Sequence, residues 1–175
     1  MKENITKKVA LYGILGALAL TLSLFENILI PDIPFLPAGA KPGLSNVVTM
    51  FTAYFCSLSG AFYITLLKAV FALLTRGATA FLMSLFGGIL STAVLCICVR
   101  FIGKNLSFIG VGVLCAAFHN LGQVICACFT VGTPLILNYY KYLLIFAVIS
   151  GFLTGVVLNV LEPRAESVLK KLKIK

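Results

Sequence analysis

Two cations with helical spacing are the first residues in this chain whose types could do chemistry. Lys68 and Arg76 are eight residues apart in an apolar run, so two helical turns bring them to one face. A charge at the bilayer centre costs about 2.5–3.5 kcal/mol on insertion scales and usually faces the bundle interior. The pair could receive an anionic or electron-rich ligand. Alternatively, Lys68 reaches toward the interface or pairs with Glu26 and only satisfies the bundle.

A second polar group lies within one turn of a later apolar run. His119, Asn120 and Gln123 are three or four residues apart, so their side chains share one broad helical face. A lone histidine in such a run is typical of a packed core residue. Three hydrogen-bonding side chains in one turn favour the wall of a polar cavity.

Polar residues at the ends of the apolar runs extend this candidate binding site. They are Glu26, Asn27, Lys41, Asn46, Tyr139 and Lys141. The tyrosine and Lys141 could rim the mouth of the cavity or equally form an aromatic belt at the membrane interface. Residues 30–43 hold four prolines and are mostly apolar, which predicts either a lid over the cavity or a connector lying on the membrane.

The composition places all these residues in a membrane. The chain is 61% hydrophobic and 11% charged, with a mean hydropathy of +1.09, whereas a soluble surface needs about a quarter of charged residues. We therefore predict an all-α polytopic membrane protein with a bundle of six transmembrane helices. The predicted spans are about 9–29, 44–58, 61–75, 81–99, 108–131 and 142–161. Pro163 is expected to end the sixth span, leaving a basic amphipathic tail at 164–175.

The basic residues predict the orientation. Six spans put both ends of the chain on one side, where the flanking Lys and Arg residues are concentrated, and the positive-inside rule makes that side cytoplasmic. The net charge of +9 is then a signal of topology and calls for no nucleic-acid partner, with membrane lipid as the surrounding partner. Because the chain has no internal repeat, residues 1–175 are interpreted as one integral membrane domain.

The six cysteines indicate packing rather than metal binding. All lie inside predicted spans, and in each of the two C-x-C pairs the side chains point away from each other on a helix. We expect buried free thiols, and no metal or other cofactor. Since the chain also has no Walker-type loop and no paired-aspartate diphosphate motif, we expect it not to be an enzyme.

Small residues recur at helical spacing on the first span. Ala10, Gly13 and Ala17 form a stripe that predicts close helix packing and could also receive a partner protein. Gly151 and Gly155 repeat the same device on the sixth span.

Four sequence motifs, in this order, resemble one known family. They lie at 41–49 (KPGLSNVVT), 84–91 (SLFGGILS), 119–123 (HNLGQ), and 142–155, which includes Gly151 and Gly155. The chain resembles the Gx transporter family of bacterial membrane proteins, also labelled heptaprenyl diphosphate synthase component I. That family in turn resembles the S components of energy-coupling factor transporters.

The resemblance implies a multi-pass protein of the bacterial cell membrane with an outward-facing pocket for a small-molecule ligand. It also implies that the small-residue stripe docks on an energy-coupling membrane protein that works with ATPases. The leading hypothesis is therefore a substrate-binding subunit for uptake of a small amphipathic or anionic precursor, isoprenoid-, quinone- or vitamin-related. A second is a membrane anchor for an extracellular FMN-binding protein in flavin- or quinone-linked electron transfer. A third is a non-catalytic component of heptaprenyl diphosphate synthase.

Overall fold

The chain forms a bundle of helices whose apolar sequences decide where each begins and ends. The computed structural model describes residues 2–29, 43–102 and 107–172, and within these ranges it contains helices and no β-strand. The helices are α1 (Lys2–Leu29), α2 (Leu44–Phe51), α3 (Leu58–Arg76), α4 (Ala78–Ile97), α5 (Phe108–Val131) and α6 (Tyr140–Leu172). Thr52–Cys56 and Cys98–Ile102 are π-helical turns after α2 and α4, and Pro134–Tyr139 is a 3₁₀ helix before α6.

Five of these segments are long and apolar enough to cross a membrane. They cover Ile5–Ile28, Leu58–Arg76, Ala78–Phe101, Phe108–Val131 and Pro134–Lys170. The six-helix bundle is thus confirmed in the described ranges. The second predicted span is the exception in length, because the eight residues of α2 and the five of its π-helical turn extend only about 20 Å, short of a hydrocarbon core of about 30 Å.

Ser57 separates α2 and its π-helical turn from α3, which begins at Leu58, three residues before the predicted start of the third span. Ser57 has an extended backbone, with φ −162° and ψ 154°. Its hydroxyl accepts a hydrogen bond from the Gly60 N–H at 2.9 Å, which satisfies one of the unpaired donors at the start of α3. The Tyr12 hydroxyl lies 2.8 Å from the same serine oxygen and joins α1 to this corner.

The prediction that Pro163 ends the sixth span is wrong. Helix α6 runs through this proline without interruption from Tyr140 to Leu172. Proline removes one backbone hydrogen bond, but Ala165 and Leu169 beyond it are buried in the same apolar cluster as Leu158. Burial of that continuing apolar face offsets the lost hydrogen bond, so the tail is an extension of the last helix.

Glycines let α5 and α6 approach to backbone contact. A Cβ atom on Gly112 would lie 2.3 Å from the Gly151 carbonyl oxygen, and one on Gly155 would lie 2.3 Å from the Ile109 Cα. Small residues at such spacing are the usual device for close packing of membrane helices. The glycine contacts with α6 fix the position of α5, the helix that carries His119, Asn120 and Gln123.

All six cysteines are free and buried or half-buried, as predicted.

Candidate functional site

A polar cavity of about 390 Å³ opens at the end of the bundle where α1 and α3 end and α2 and α4 begin. All six helices or the residues beside them contribute to its walls. The described residues that line it are Ser23, Glu26, Asn27, Gly43, Ser45, Asn46, Lys68, Arg76, Ala80, Met83, Ser84, Ala116, His119, Asn120, Gln123 and Ser150. Eight of the eleven residues predicted from sequence to bind a ligand are therefore brought together.

Lys68 and Asn46 form the central polar contact of the cavity. The Lys68 ammonium donates a hydrogen bond to the Asn46 Oδ1 at 2.6 Å, which links α3 to α2. An ammonium has three donors, so this bond uses one of them. Lys68 is half-buried and lines the cavity. The Asn46 amide therefore fixes the position of the Lys68 ammonium, and the Lys68 side chain still lines the cavity.

Glu26 has a role that the sequence did not reveal. Its carboxylate accepts a hydrogen bond from the Leu44 backbone N–H and so caps the N-terminus of α2 from the end of α1. Gly43, the residue before α2, has a left-handed backbone with φ 78° and supplies no side-chain cap. A carboxylate at this position also interacts favourably with the helix dipole. Glu26 is only 3% exposed and interacts electrostatically with Lys68.

The turn from His119 to Gln123 on α5 lines the cavity and is partly cross-linked. The Asn120 amide donates to the Leu143 carbonyl oxygen at 3.0 Å and ties α5 to α6. The Gln123 Nε2 lies 3.2 Å from the His119 Nε2. Gly87 of α4 packs directly behind this turn, since a Cβ there would lie 2.8 Å from the His119 carbonyl oxygen. Close packing therefore orients this wall.

Three of the predicted ligand-binding residues are not among the described lining. Tyr139 is half-buried, and its ring centroid lies 6.1 Å from that of Tyr142. The Lys141 ammonium lies 5.1 Å from the centre of the Tyr142 ring, a cation–π arrangement. Tyrosines beside a lysine have the composition of an aromatic belt at the membrane interface, which the sequence offered as the alternative to a role at the mouth of the cavity. Lys41 and the proline-rich segment at 30–42 lie outside the described residues.

The stripe of small residues on α1 faces away from the cavity. Ala10, Gly13 and Ala17 are exposed, and no atom lies within 4 Å of a Cβ built on Gly13. A neighbouring face of α1 packs on α3, where a Cβ on Gly16 would lie 2.8 Å from the Leu67 Cδ2. The packed and exposed faces of α1 are therefore distinct.

Sequence reasoning missed four serines of the lining, Ser23, Ser45, Ser84 and Ser150. Serine in an apolar helix can bond to its own backbone one turn earlier and needs no other partner, so its presence alone predicts nothing about a cavity. Ser45 and Ser84 entered the sequence analysis only as members of the motifs at 41–49 and 84–91.

The arrangement suits a small polar anion. Half of the described lining residues carry a hydroxyl or amide side chain, none is Phe, Tyr or Trp, and the charged members are Lys68, Arg76 and Glu26. With Glu26 engaged at the start of α2, cations exceed carboxylates by one. In a low-dielectric surrounding such an excess attracts negative charge more strongly than in water.

Residues 15–161 match the family described as heptaprenyl diphosphate synthase component I. The chain belongs to this family. The match covers every described residue that lines the cavity, and it confirms the resemblance inferred from the four motifs. Searches of curated proteins and of solved structures gave no match to the chain.

Proposed function

We propose that this family member is the substrate-binding membrane subunit of an uptake system for a small anionic precursor. The observation that carries the proposal is the half-buried Lys68 ammonium, fixed by Asn46 in a polar cavity. Ionisable residues within membrane spans are costly and usually mark a path or site for a substrate.

The size of the cavity supports a small ligand. Ligand pockets commonly have volumes of about 300–1,000 Å³, and this cavity has about 390 Å³. Its walls combine hydroxyls, amides and charges with small apolar surfaces such as Ala80, Met83 and Ala116, so they can bind a ligand that carries polar groups. His119 and Gln123 on α5 face the same space as Lys68 and would hydrogen-bond the neutral part of the ligand.

The exposed stripe Ala10, Gly13 and Ala17 supports a docking role for α1. In this proposal both chain ends are cytoplasmic, and the stripe meets an energy-coupling membrane protein that works with ATPases. A flat surface of small residues lets a partner helix approach closely. Gly13→Leu should abolish co-purification of such a partner, whereas Thr75→Leu, at an exposed position on α3, should leave it intact.

The decisive experiment is native mass spectrometry of the protein extracted gently from its own membrane. We expect a small-molecule adduct on the wild type and on Lys141→Ala, since Lys141 is an exposed lysine not among the described lining. Lys68→Ala and His119→Ala should lose the adduct. An adduct equally abundant on Lys68→Ala would contradict the proposed site. A bare protein that retains an extracellular flavoprotein would support a membrane-anchor role instead.

A second candidate is an amphipathic precursor with a prenyl chain, and a specific surface favours it. An apolar groove of about 360 Å³ runs between α1, α2 and α6, lined by Leu15, Leu18, Leu22, Leu44, Val47, Val48, Phe51, Val157 and Leu161. Helix α2 contributes Ser45 and Asn46 to the cavity and Leu44 and Val48 to the groove. A prenyl chain in the groove with its anionic head in the cavity would agree with the family's description. The mass of the adduct distinguishes a prenylated ligand from a small polar one.

A further inference from the structure

A second, much smaller space lies against the floor of the cavity, which we name the pit. It has a volume of about 20 Å³ and shares Asn46, Lys68, Ser84 and His119 with the cavity. The other residues of its lining lie deeper in the bundle, since Thr49 is one turn after Asn46 and Thr65 one turn before Lys68. The pit therefore extends the cavity inward beneath Lys68.

Thr49 supplies an unsatisfied hydrogen-bonding group in the pit. This side chain is 6% exposed, and its Oγ1 has no hydrogen-bond partner. Buried hydroxyls in proteins are almost always paired, so an unpaired one in the wall of a small space that Lys68 also lines indicates a missing partner. The space of about 20 Å³ holds one group the size of a water oxygen.

The neighbouring hydroxyls are already committed to each other. The Thr65 hydroxyl donates to the Ala61 carbonyl oxygen at 3.0 Å, so at 2.7 Å from Thr92 it must accept the Thr92 proton. The Thr49 hydroxyl has no partner, and the Lys68 ammonium uses one of its three donors on Asn46, so both can donate into the pit. Ser84, Ser91 and the Asn46 amide nitrogen are further donors in its lining, and such a surplus of donors around one oxygen-sized space selects an acceptor.

The charge of the residues that line the pit limits which kind of acceptor can bind there. Lys68 is the one formal charge in the described lining of the pit, which contains no carboxylate. A metal cation would meet the Lys68 charge without an anionic ligand to offset it. Arg76 lies two turns from Lys68 on α3 and lines only the outer cavity. A single cation at this depth, which already interacts electrostatically with the Glu26 carboxylate, matches a monoanion better than a dianionic phosphate.

We infer that the pit is the subsite for one carboxylate oxygen of the ligand, held by the Lys68 ammonium and the Thr49 hydroxyl. This rests on the proposed function, and it specifies a carboxylate-bearing substrate. The second carboxylate oxygen remains in the cavity, where the rest of the molecule meets His119 and Gln123.

Acetate is a suitable probe because its carboxylate can enter the pit without the rest of a substrate. The purified full-length protein is heated in detergent with increasing sodium acetate, sodium phosphate or sodium chloride at matched ionic strength. We expect acetate alone to raise the Tm. Thr49→Val removes the hydroxyl at nearly constant volume and should raise the half-saturating acetate concentration about tenfold. Thr49→Ser and Thr75→Val, the latter an exposed threonine whose hydroxyl bonds to Phe71, should respond like the wild type.

Three results would overturn the inference: no stabilisation by acetate beyond that by chloride, an equal response in Thr49→Val, or stabilisation by phosphate equal to that by acetate. The native adduct and its loss in Lys68→Ala report on the proposed function separately. A protein that carries an adduct sensitive to Lys68→Ala but fails the acetate test is a binding subunit whose ligand does not use the pit.

Discussion

The Lys68 ammonium donates a hydrogen bond to the Asn46 Oδ1 at 2.6 Å and joins α3 to α2 at the floor of the polar cavity. A few residues away, the Glu26 carboxylate holds the Leu44 N–H at the start of α2. The short helix α2 is therefore fastened to its neighbours by two polar contacts at the end where the cavity opens. Both contacts involve a charged side chain, and such hydrogen bonds are stronger than neutral ones.

The contact between Lys68 and Asn46 should be visible as a coupling energy. In a double-mutant cycle with Lys68→Met and Asn46→Leu, we expect a coupling of about 1.5–3 kcal/mol in the free energy of unfolding, because a hydrogen bond to a charged group is lost. Reversible unfolding in mixed micelles measures it. The same cycle with Lys141→Met and Asn46→Leu should give a coupling near zero, and equal couplings in the two cycles would disprove the contact.

We expect Glu26 to stabilise the N-terminus of α2 in particular, through its hydrogen bond with the Leu44 N–H. Glu26→Ala removes the acceptor for the Leu44 N–H and should lower stability by about 1–2 kcal/mol, the usual effect of losing a cap. Glu26→Gln keeps an acceptor oxygen and should lose less. Hydrogen exchange at the first amides of α2 should accelerate in Glu26→Ala, while exchange in α5 stays constant. Unchanged exchange at Leu44 would argue against the cap.

Two glycines should respond oppositely to the addition of one methyl group. Gly151→Ala places a Cβ about 2.4 Å from the Val113 backbone, so α5 and α6 must separate, and we expect a loss of about 1–3 kcal/mol or more. Gly13→Ala meets no atom within 4 Å and should leave the Tm unchanged or slightly higher, because alanine favours the helix. Thermal unfolding in detergent compares them. Equal Tm values would mean that the α5–α6 backbone contact does not form.

The extension of α6 beyond Pro163 should stabilise the bundle. Leu169 is 5% exposed and packs in the cluster with Phe55 and Leu158, whereas its neighbour Val168 is 52% exposed. Leu169→Ala should cost about 2–5 kcal/mol through the cavity that it leaves. Val168→Ala is the matched control and should have little effect. Equal effects in thermal unfolding would indicate that the tail does not pack on the bundle.

The helices were predictable because their signal is local. Long apolar runs with polar interruptions place α3, α4, α5 and the end of α1 within three residues of their observed bounds, since a membrane-spanning segment must satisfy its own backbone hydrogen bonds. The start of α1 lies seven residues before the predicted one, because the mostly polar residues at 2–8 continue the helix. The same reasoning selected Lys68 and the turn from His119 to Gln123, because lipid excludes such side chains unless they face the bundle interior.

The sequence by itself determined the helical membrane fold, the polar faces of α3 and α5, and the family to which the chain belongs. Only the tertiary structure decided that Asn46 is the partner of Lys68, that Glu26 caps α2, and that Tyr139 and Lys141 cluster around Tyr142. It also decided that α6 continues past Pro163, because burial of Leu169 offsets the lost hydrogen bond. Periodicity fixes which residues share a helical face, whereas the contacts between faces depend on how closely the helices pack.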